Sequence, residues 1–585
     1  MNVFICFCPG ADPAMPHAAL PALGARLRED GICDYFLRDL NLNAFMYFLT
    51  EEKIAAARES VASRVKNKQF KSPLRLQKAR QWVERTGGLP GRIESALAAF
   101  RDSDSFYDLD RFLAMKEDVN AACQLISLQY DHIQFDKYSL FDGFPYNNFE
   151  EIRAALEDPD AMMLAGFYRD TIIPEINAKQ PEIVGISVSY FPQLIPGFLL
   201  AREIRKVSPN THITQGGPVI SWGKDILTRQ AEGFSRLIDS FCVGEGEPCI
   251  AGLVKTIKEG GNPDSIPNLV YFKEGSASVT PLQGREARLE TLHTPDYQNM
   301  PLAQYLAPER VISLPLTKGC YYNRCKFCNY SFIRMTQYRE RPVRLTIKDL
   351  EKIVAQTGER VFSFESDVIR PGYLLEFSRA LADAGLNIKW HSVMRFEENL
   401  DREFFDTLAR AGCIRMYLGL ESANPRVLKE MDKGTTVAVM QEVLEYCHEA
   451  GIATEIGVFV GYPGETAAEA EDSLNFIKRN RDSIDRADTG PFRLLKGAPV
   501  AHEVNPACLP PGKTPDDYWY TMEYCHPQHE ASREKFQQII AEIESLYPNL
   551  KLLDISQEIL YLAKYGKQVL KKLNKNRYGS PAKGE

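Results

Sequence analysis

Twice along this chain, short apolar, β-branched runs alternate with amphipathic stretches of helical period, and glycines collect where the apolar runs end. That rhythm predicts parallel sheets flanked by helices, with ligand crevices at the carboxyl ends of the strands. At 585 residues the chain is too long for a single core. The first series opens with "NVFICF", the helix "PHAALPALGARLREDG" and "CDYFLRDL". It resumes with "PEIVGISVSYF", "THITQGGP" and "FSRLIDSFCVGEGEP", which predicts a five-stranded doubly wound sheet. Between the two parts, residues of about 41–170 change to a polar helical period and read as a long helical insertion. Residues 260–305 read as a linker holding a small hairpin.

The second series supplies the strands "VISLPLT", "RVFSFES", "NIKWHSVM", "IRMYLGLE", "TEIGVFVG" and "PFRLLKG". Six β/α units are two short of a closed barrel, so a partial (β/α)6 barrel of TIM type is expected, with its site at the carboxyl ends. The expected organisation is α/β: residues 1–290, 305–500 and a helical C-terminal region, 501–585. In that region "YWYTMEYCHPQHE" reads as helix core with an exposed turn, and Cys508 and Cys525 have no assigned role.

Directly after the first strand of the second series, "TKGCYYNRCKFCNY" places Cys320, Cys325 and Cys328 within nine residues. The N-terminal apolar run has no basic stretch ahead of it, and no segment is long enough to cross a bilayer, so a cytoplasmic, thiol-reducing setting is expected. Thirteen cysteines, an odd number, do not suggest a disulfide framework there. Zinc would want a fourth Cys or His nearby, whereas three thiolates on one loop suit an iron–sulfur cluster with one iron left open. A net charge of −8 and a pI near 5.8 argue against a protein that coats nucleic acid.

On "GCYYNRCKFC", "FESD", "GLES", "EIGVFVGYPGET" and "LLKGAP", residues 308–500 resemble the radical S-adenosylmethionine (SAM) superfamily. The spacing departs from the usual pattern, with four residues rather than three between the first two cysteines. The resemblance implies that Cys320, Cys325 and Cys328 hold a [4Fe–4S] cluster, and that Phe327 packs near the adenine of SAM. It further implies SAM contacts from Glu365, Ser366, Glu421, Ser422, Gly461 and Gly497, with Pro463 and Gly464 shaping a loop. Arg395 occupies a position that either approaches a carboxylate or forms a structural ion pair.

A doubly wound, Rossmann-like sheet ahead of such a barrel is similar to the cobalamin-binding domain of the cobalamin-dependent members. There Ser187, Ser189, Gly216, Gly217, Gly244 and Gly246 would be small enough to admit a corrin. No D-x-H-x-x-G motif is present, and His17 reads as a surface-turn residue, so binding without a histidine on cobalt is expected. The resemblance implies methyl transfer from methylcobalamin to a carbon activated by a 5′-deoxyadenosyl radical. The substrate would be a peptide or other small natural product, and the external electron donor a flavodoxin or ferredoxin, with neither nucleic acid nor membrane as partner. A non-methylating rearrangement or cyclisation, a tRNA methylthiotransferase and a non-catalytic cobalamin sensor are the alternatives. No catalytic side chain and no particular substrate can be assigned from the sequence.

Overall fold

The computed structural model describes all residues except 33, 138–139, 141–142, 274, 282–287, 330–336, 365, 506–507, 525–526, 549–551 and 575–585, together with the side chains of 527–531 and 574. The chain forms two compact units, residues 1–283 with 293–310, and residues 284–292 with 311–585. The stretch 501–585, expected to stand apart, belongs to the second unit.

The first unit is built on β1 (Val3–Phe7), β2 (Tyr35–Asp39), β3 (Ile183–Ser187), β4 (His212–Gly216), β5 (Ser240–Cys242), β6 (Leu269–Lys273) and β7 (Ser276–Val279). Their order is β2-β1-β3-β4-β5-β6-β7; the first five are parallel and the last two antiparallel. Every residue of β1 and of β3 is buried, which is why these strands read as continuous apolar runs rather than alternating ones. The hairpin expected within a linker is β6–β7, and it pairs with β5 to extend the sheet. Leu269, Val270 and Tyr271 are buried, so the hairpin's apolar content is spent on the sheet.

The insertion between β2 and β3 is helical, as expected, with nine α-helices among the described residues from Leu40–Phe48 to Ile172–Lys179. Part of it has its own small core of Val61, Ala79 and Leu128, with Trp82 and Phe70 packed against it. No helix among the described residues is long and apolar enough to cross a membrane.

The second unit holds a parallel sheet of β8 (Val311–Ser313), β11 (Val361–Ser363), β12 (Lys389–Met394), β13 (Cys413–Glu421), β14 (Ala453–Val460) and β15 (Arg486–Pro491). These pair in chain order, with β8 and β15 at the edges. Two short ladders accompany it, β9 (Thr317–Lys318) with β10 (Arg339–Glu340), and β16 (Leu494–Leu495) with β17 (Thr521–Met522). The sixth strand was expected at 491–497 but lies at "RADTGP", ahead of it. Its polar composition hid it, and the more apolar "LL" pairs with Thr521–Met522 instead. The stretch read as helix core at 518–530 therefore enters as extended chain, with Trp519 fully buried.

A buried ionic lattice ties the C-terminal helix Ile555–Tyr565 to this sheet. Arg415 on β13 and Arg486 on β15 each contact both Glu455 on β14 and Glu558 on that helix. Burial pulls the Arg415 guanidinium down to about 10, yet two acids opposite two bases leave the group neutral overall. Removing Glu558 would leave an uncompensated buried cation. We therefore expect Glu558→Ala to destabilise the second unit by about 3–5 kcal/mol. Calorimetric unfolding measures this, and an unchanged midpoint would rule the lattice out as a structural requirement.

Candidate functional site

The backbone leading into the cysteine loop is fastened before the first thiol. The Ser366 hydroxyl accepts hydrogen bonds from the amides of Leu316 and Thr317, both at 3.1 Å. The Asp367 carboxylate accepts from Gly319 N at 2.8 Å. These two residues follow β11, so its carboxyl end fixes where the loop starts. Ser366, expected near a ligand, is largely buried and its oxygen serves this junction. Glu365 lies outside the described residues.

Cys320, Cys325 and Cys328 are half-buried, and no disulfide links the described cysteines. Further along, Lys326 N donates to Met431 O and Val500 N donates to Lys326 O, while Asn329 Nδ2 reaches Lys496 O. The loop is thus held from three sides. Among the described residues no group of three His, Cys, Asp or Glu converges on a single point.

Two cations flank Cys325. Arg395 Nη1 lies 3.6 Å from its sulfur, and Arg395 is 4% exposed. Burial pushes the Cys325 thiol up, while Lys433 and Arg395 pull it back toward thiolate. Lys433 in turn pairs with Glu421 at 2.9 Å and stands 5.6 Å above the Phe327 ring. The sequence reading missed Lys433, which lies in "EMDKGTT". Arg395 is in an ion pair, with Glu397 at 2.9 Å, so of its two expected roles the structural pairing is present.

Glu421 ends β13 in the left-handed region at φ 63°, where the register with β14 shifts. A non-glycine residue held there is strained, and such strain marks functional sites more often than plain turns. Ser422 is fully buried, and its hydroxyl accepts from Asn424 N and contacts Ser473. It closes a turn and offers no free hydroxyl to a ligand. Phe327 packs on Phe459 with centroids 5.3 Å apart, at the margin of an apolar cluster with Met431, Tyr462 and Phe492. Gly461 and Gly497 both adopt positive φ, 90° and 78°, in the loops after β14 and after β16.

The loop after β14 carries a buried carboxylate that the sequence reading passed over. Glu465 accepts from Gly461 N and Tyr462 N through one oxygen, and the other has no hydrogen-bond partner among the described residues. Burial lifts its carboxyl from the usual 4.5 to about 7, outweighing those two hydrogen bonds.

In the first unit, the loops at the carboxyl end of the sheet are pinned by polar side chains, Asn41 and Gln193 buried and Ser221 half-buried. Asn41 Oδ1 accepts from Gly10 N and Ala11 N, and Gln193 bridges Ser189 N and Cys8 O. Ser221 Oγ accepts from Gly244 N at 2.8 Å and donates to Gly217 O, joining the loops after β4 and β5. Ser187 and Ser189 are buried at the end of β3. Gly217 has φ 114°, and a Cβ there would meet Val188 O at 2.4 Å, so only glycine fits. At Gly216 and Gly246 a Cβ would come within 3.1 and 3.2 Å of Cys242 and Leu23, whereas Gly244 faces more open space.

His17, expected on a surface turn, lies in the loop after β1 but is half-buried there. It stacks on Phe7 at 4.4 Å and meets Tyr190 edge-on, and burial lowers its pKa to about 4. Its Nδ1 accepts from Ala19 N, which assigns the proton to Nε2. Beside it, Tyr146, Phe191 and Trp222 form a run of near-parallel rings 5.3 Å apart. Small residues at the loop tips next to flat aromatic faces suit a broad planar ligand.

Residues 314–477 match the radical SAM superfamily. The chain is 24% identical over 331 residues to an uncharacterized methyltransferase of Pyrococcus horikoshii, a match spanning 55% of this chain and 70% of that protein. It is 24% identical over 320 residues to the anaerobic magnesium-protoporphyrin IX monomethyl ester cyclase of Rubrivivax gelatinosus, spanning 53% of this chain and 56% of that one. Its fold is similar to that of the radical SAM methyltransferase TsrM from Kitasatospora setae, solved with cobalamin and a [4Fe–4S] cluster. There the TM-score is 0.60, with 14% identity over 98% of this chain and 99% of that one. OxsB, a cobalamin-dependent SAM radical enzyme, gives a TM-score of 0.54 and 17% identity over 69% and 65% of the two chains.

The Glu465 carboxyl makes a pH-dependent contribution with a definite sign. Its native pKa is raised, so between pH 4.5 and 7 the unfolded chain binds fewer protons and stability falls as pH rises. Glu465→Gln carries no such proton. The stability of the variant relative to the wild type should therefore rise across that window, by on the order of 3 kcal/mol. Urea unfolding at pH 5 and pH 7.5 measures the change; a difference that stays flat would mean Glu465 ionises normally.

Proposed function

We infer that this chain, whose second unit carries a radical SAM domain over residues 314–477, is a cobalamin-dependent radical SAM methyltransferase acting on a small-molecule or peptide substrate. The observation that carries the reading is the pairing, in one chain, of a half-buried three-thiol loop with a separate parallel sheet whose loop tips are small and flanked by flat aromatic faces. The first unit is read as a Rossmann-like cobalamin domain and the six-stranded sheet as a partial (β/α)6 barrel. When bound, the cluster and SAM supply an electron and a hydrogen-abstracting 5′-deoxyadenosyl radical, and cobalamin supplies the methyl group.

The chain's own residues then have defined tasks. Cys320, Cys325 and Cys328 hold the cluster, and Arg395 and Lys433 favour the thiolate of Cys325. Phe327, Glu421, Gly461 and Gly497 line the SAM side, with Glu421 paired to Lys433. Ser366 positions the loop rather than the ligand, and Ser422 the turn. For cobalamin, Ser187, Ser189, Gly216, Gly217, Gly244 and Gly246 keep the approach clear. His17 Nδ1 is already engaged by Ala19 N, and cobalamin would be held here without a histidine ligand. The electron comes from an external carrier of the flavodoxin or ferredoxin class, and the setting is cytoplasmic.

The cyclase among the relatives favours a second reading, radical chemistry without methyl transfer. Product analysis separates the two. Methyl transfer yields S-adenosylhomocysteine together with 5′-deoxyadenosine, and cyclisation yields 5′-deoxyadenosine alone.

The deciding experiment is anaerobic reconstitution with iron, sulfide and hydroxocobalamin, followed by desalting and assay of the corrin after acid release. Near-stoichiometric corrin is expected, and Cys325→Ala should retain it while losing SAM cleavage. Iron without corrin would remove the role assigned to the first unit. In the reduced, Co(II) state the electron paramagnetic resonance spectrum should lack nitrogen splitting. A nitrogen triplet abolished by His17→Ala would reverse the assignment of the lower face.

A further inference from the structure

The four residues between Cys320 and Cys325 have a use in this structure. Tyr321 donates to Glu397 Oε1 at 2.5 Å, and Tyr322 donates to Asp432 O at 2.8 Å. Asn323 then turns the chain back in the left-handed region, at φ 47°, and delivers Cys325. The Tyr322 ring is left 3.6 Å beneath the Arg395 guanidinium.

Every nitrogen of that guanidinium is committed. Nε donates to Glu397 at 2.9 Å, Nη2 to Lys433 O at 2.5 Å, and Nη1 points to Cys325 Sγ at 3.6 Å. Stacked on a ring and bonded along its edges, Arg395 is not free to swing toward a ligand carboxylate. What it delivers is a fixed positive charge and one N–H aimed at a coordinating sulfur. Lys433, the other nearby cation, pairs with Glu421 as Arg395 does with Glu397, but only Arg395 has an N–H directed at the sulfur.

Adding an electron to a cluster held by three thiolates adds negative charge to an already negative body. A fixed cation and an N–H···S hydrogen bond stabilise the reduced form more than the oxidised one, and so raise the reduction potential. We propose that Arg395 is a positioning residue that sets the reduction potential of the cluster through Cys325, and that the additional residue between Cys320 and Cys325 seats Tyr322 beneath it. The inference rests on the reading of the three cysteines as cluster ligands. Iron and sulfide content reports on that reading independently.

The test is a redox titration of the reconstituted full-length protein, followed by the resonance signal of the reduced cluster. Arg395→Gln, at unchanged iron and sulfide content, should shift the midpoint to more negative potential. Arg395→Lys should recover part of the shift, because it restores charge without the planar fork. Tyr322→Leu removes the stack but keeps the charge, and should shift the midpoint in the same direction by less. An unmoved midpoint in Arg395→Gln overturns the proposal. If that variant loses iron, Tyr322→Leu decides: a retained cluster with an unmoved midpoint overturns it equally.

Discussion

Two backbone amides, those of Leu316 and Thr317, donate to the single hydroxyl of Ser366, and the Asp367 carboxylate takes the amide of Gly319 just beyond. The described residues of the cysteine loop, 319–329, form neither helix nor strand that would define its path. Its position therefore depends on this junction with the carboxyl end of β11, where parallel strands present their loops. Without it, Cys320 would begin from an unfixed point, and the contacts of Cys325 and Asn329 further on would have no common frame. The same economy recurs in the first unit, where Ser221, Gln193 and Asn41 tie the loop tips together. In both units the residues that hold the site are polar side chains just past a strand.

Charge is distributed in the second unit according to how much water each site excludes. Between β13, β14, β15 and the C-terminal helix, Arg415, Arg486, Glu455 and Glu558 cancel one another in nearly complete burial. The interior tolerates four ions there only because they are equal in number and mutually bonded. At the carboxyl end the balance differs. Arg395 and Lys433 surround a sulfur, with Glu397 and Glu421 offsetting them from behind. The first arrangement holds an element in place, and the second sets two cations beside the Cys325 thiol.

Much of this was legible in the chain itself. The apolar runs of β1, β3 and β14 could only be buried strands, and the spacing of Cys320, Cys325 and Cys328 pointed to a shared task. Polar elements were not legible. "RADTGP" carries almost no apolar signal and still forms the last strand, because its neighbour β14 supplies the pairing and the burial. His17 read as a turn residue since nothing near it in sequence announces Phe7 and Tyr190 as ring partners. Lys433 was overlooked for a related reason: its partners, Glu421 and Phe327, are remote in the chain or lie across a strand break.

By itself, then, the sequence determined the two series of alternating strands and helices, the helical insertion and the cysteine spacing, because periodicity and spacing are local properties. Tertiary structure alone decided which side chains meet. It brought backbone amides to the hydroxyls of Ser366 and Ser422, gave Arg395 a sulfur and a ring to hold, and set Glu558 between two arginines. Such choices depend on residues tens or hundreds of positions apart being brought within hydrogen-bonding distance and shielded from water. No local pattern encodes that encounter.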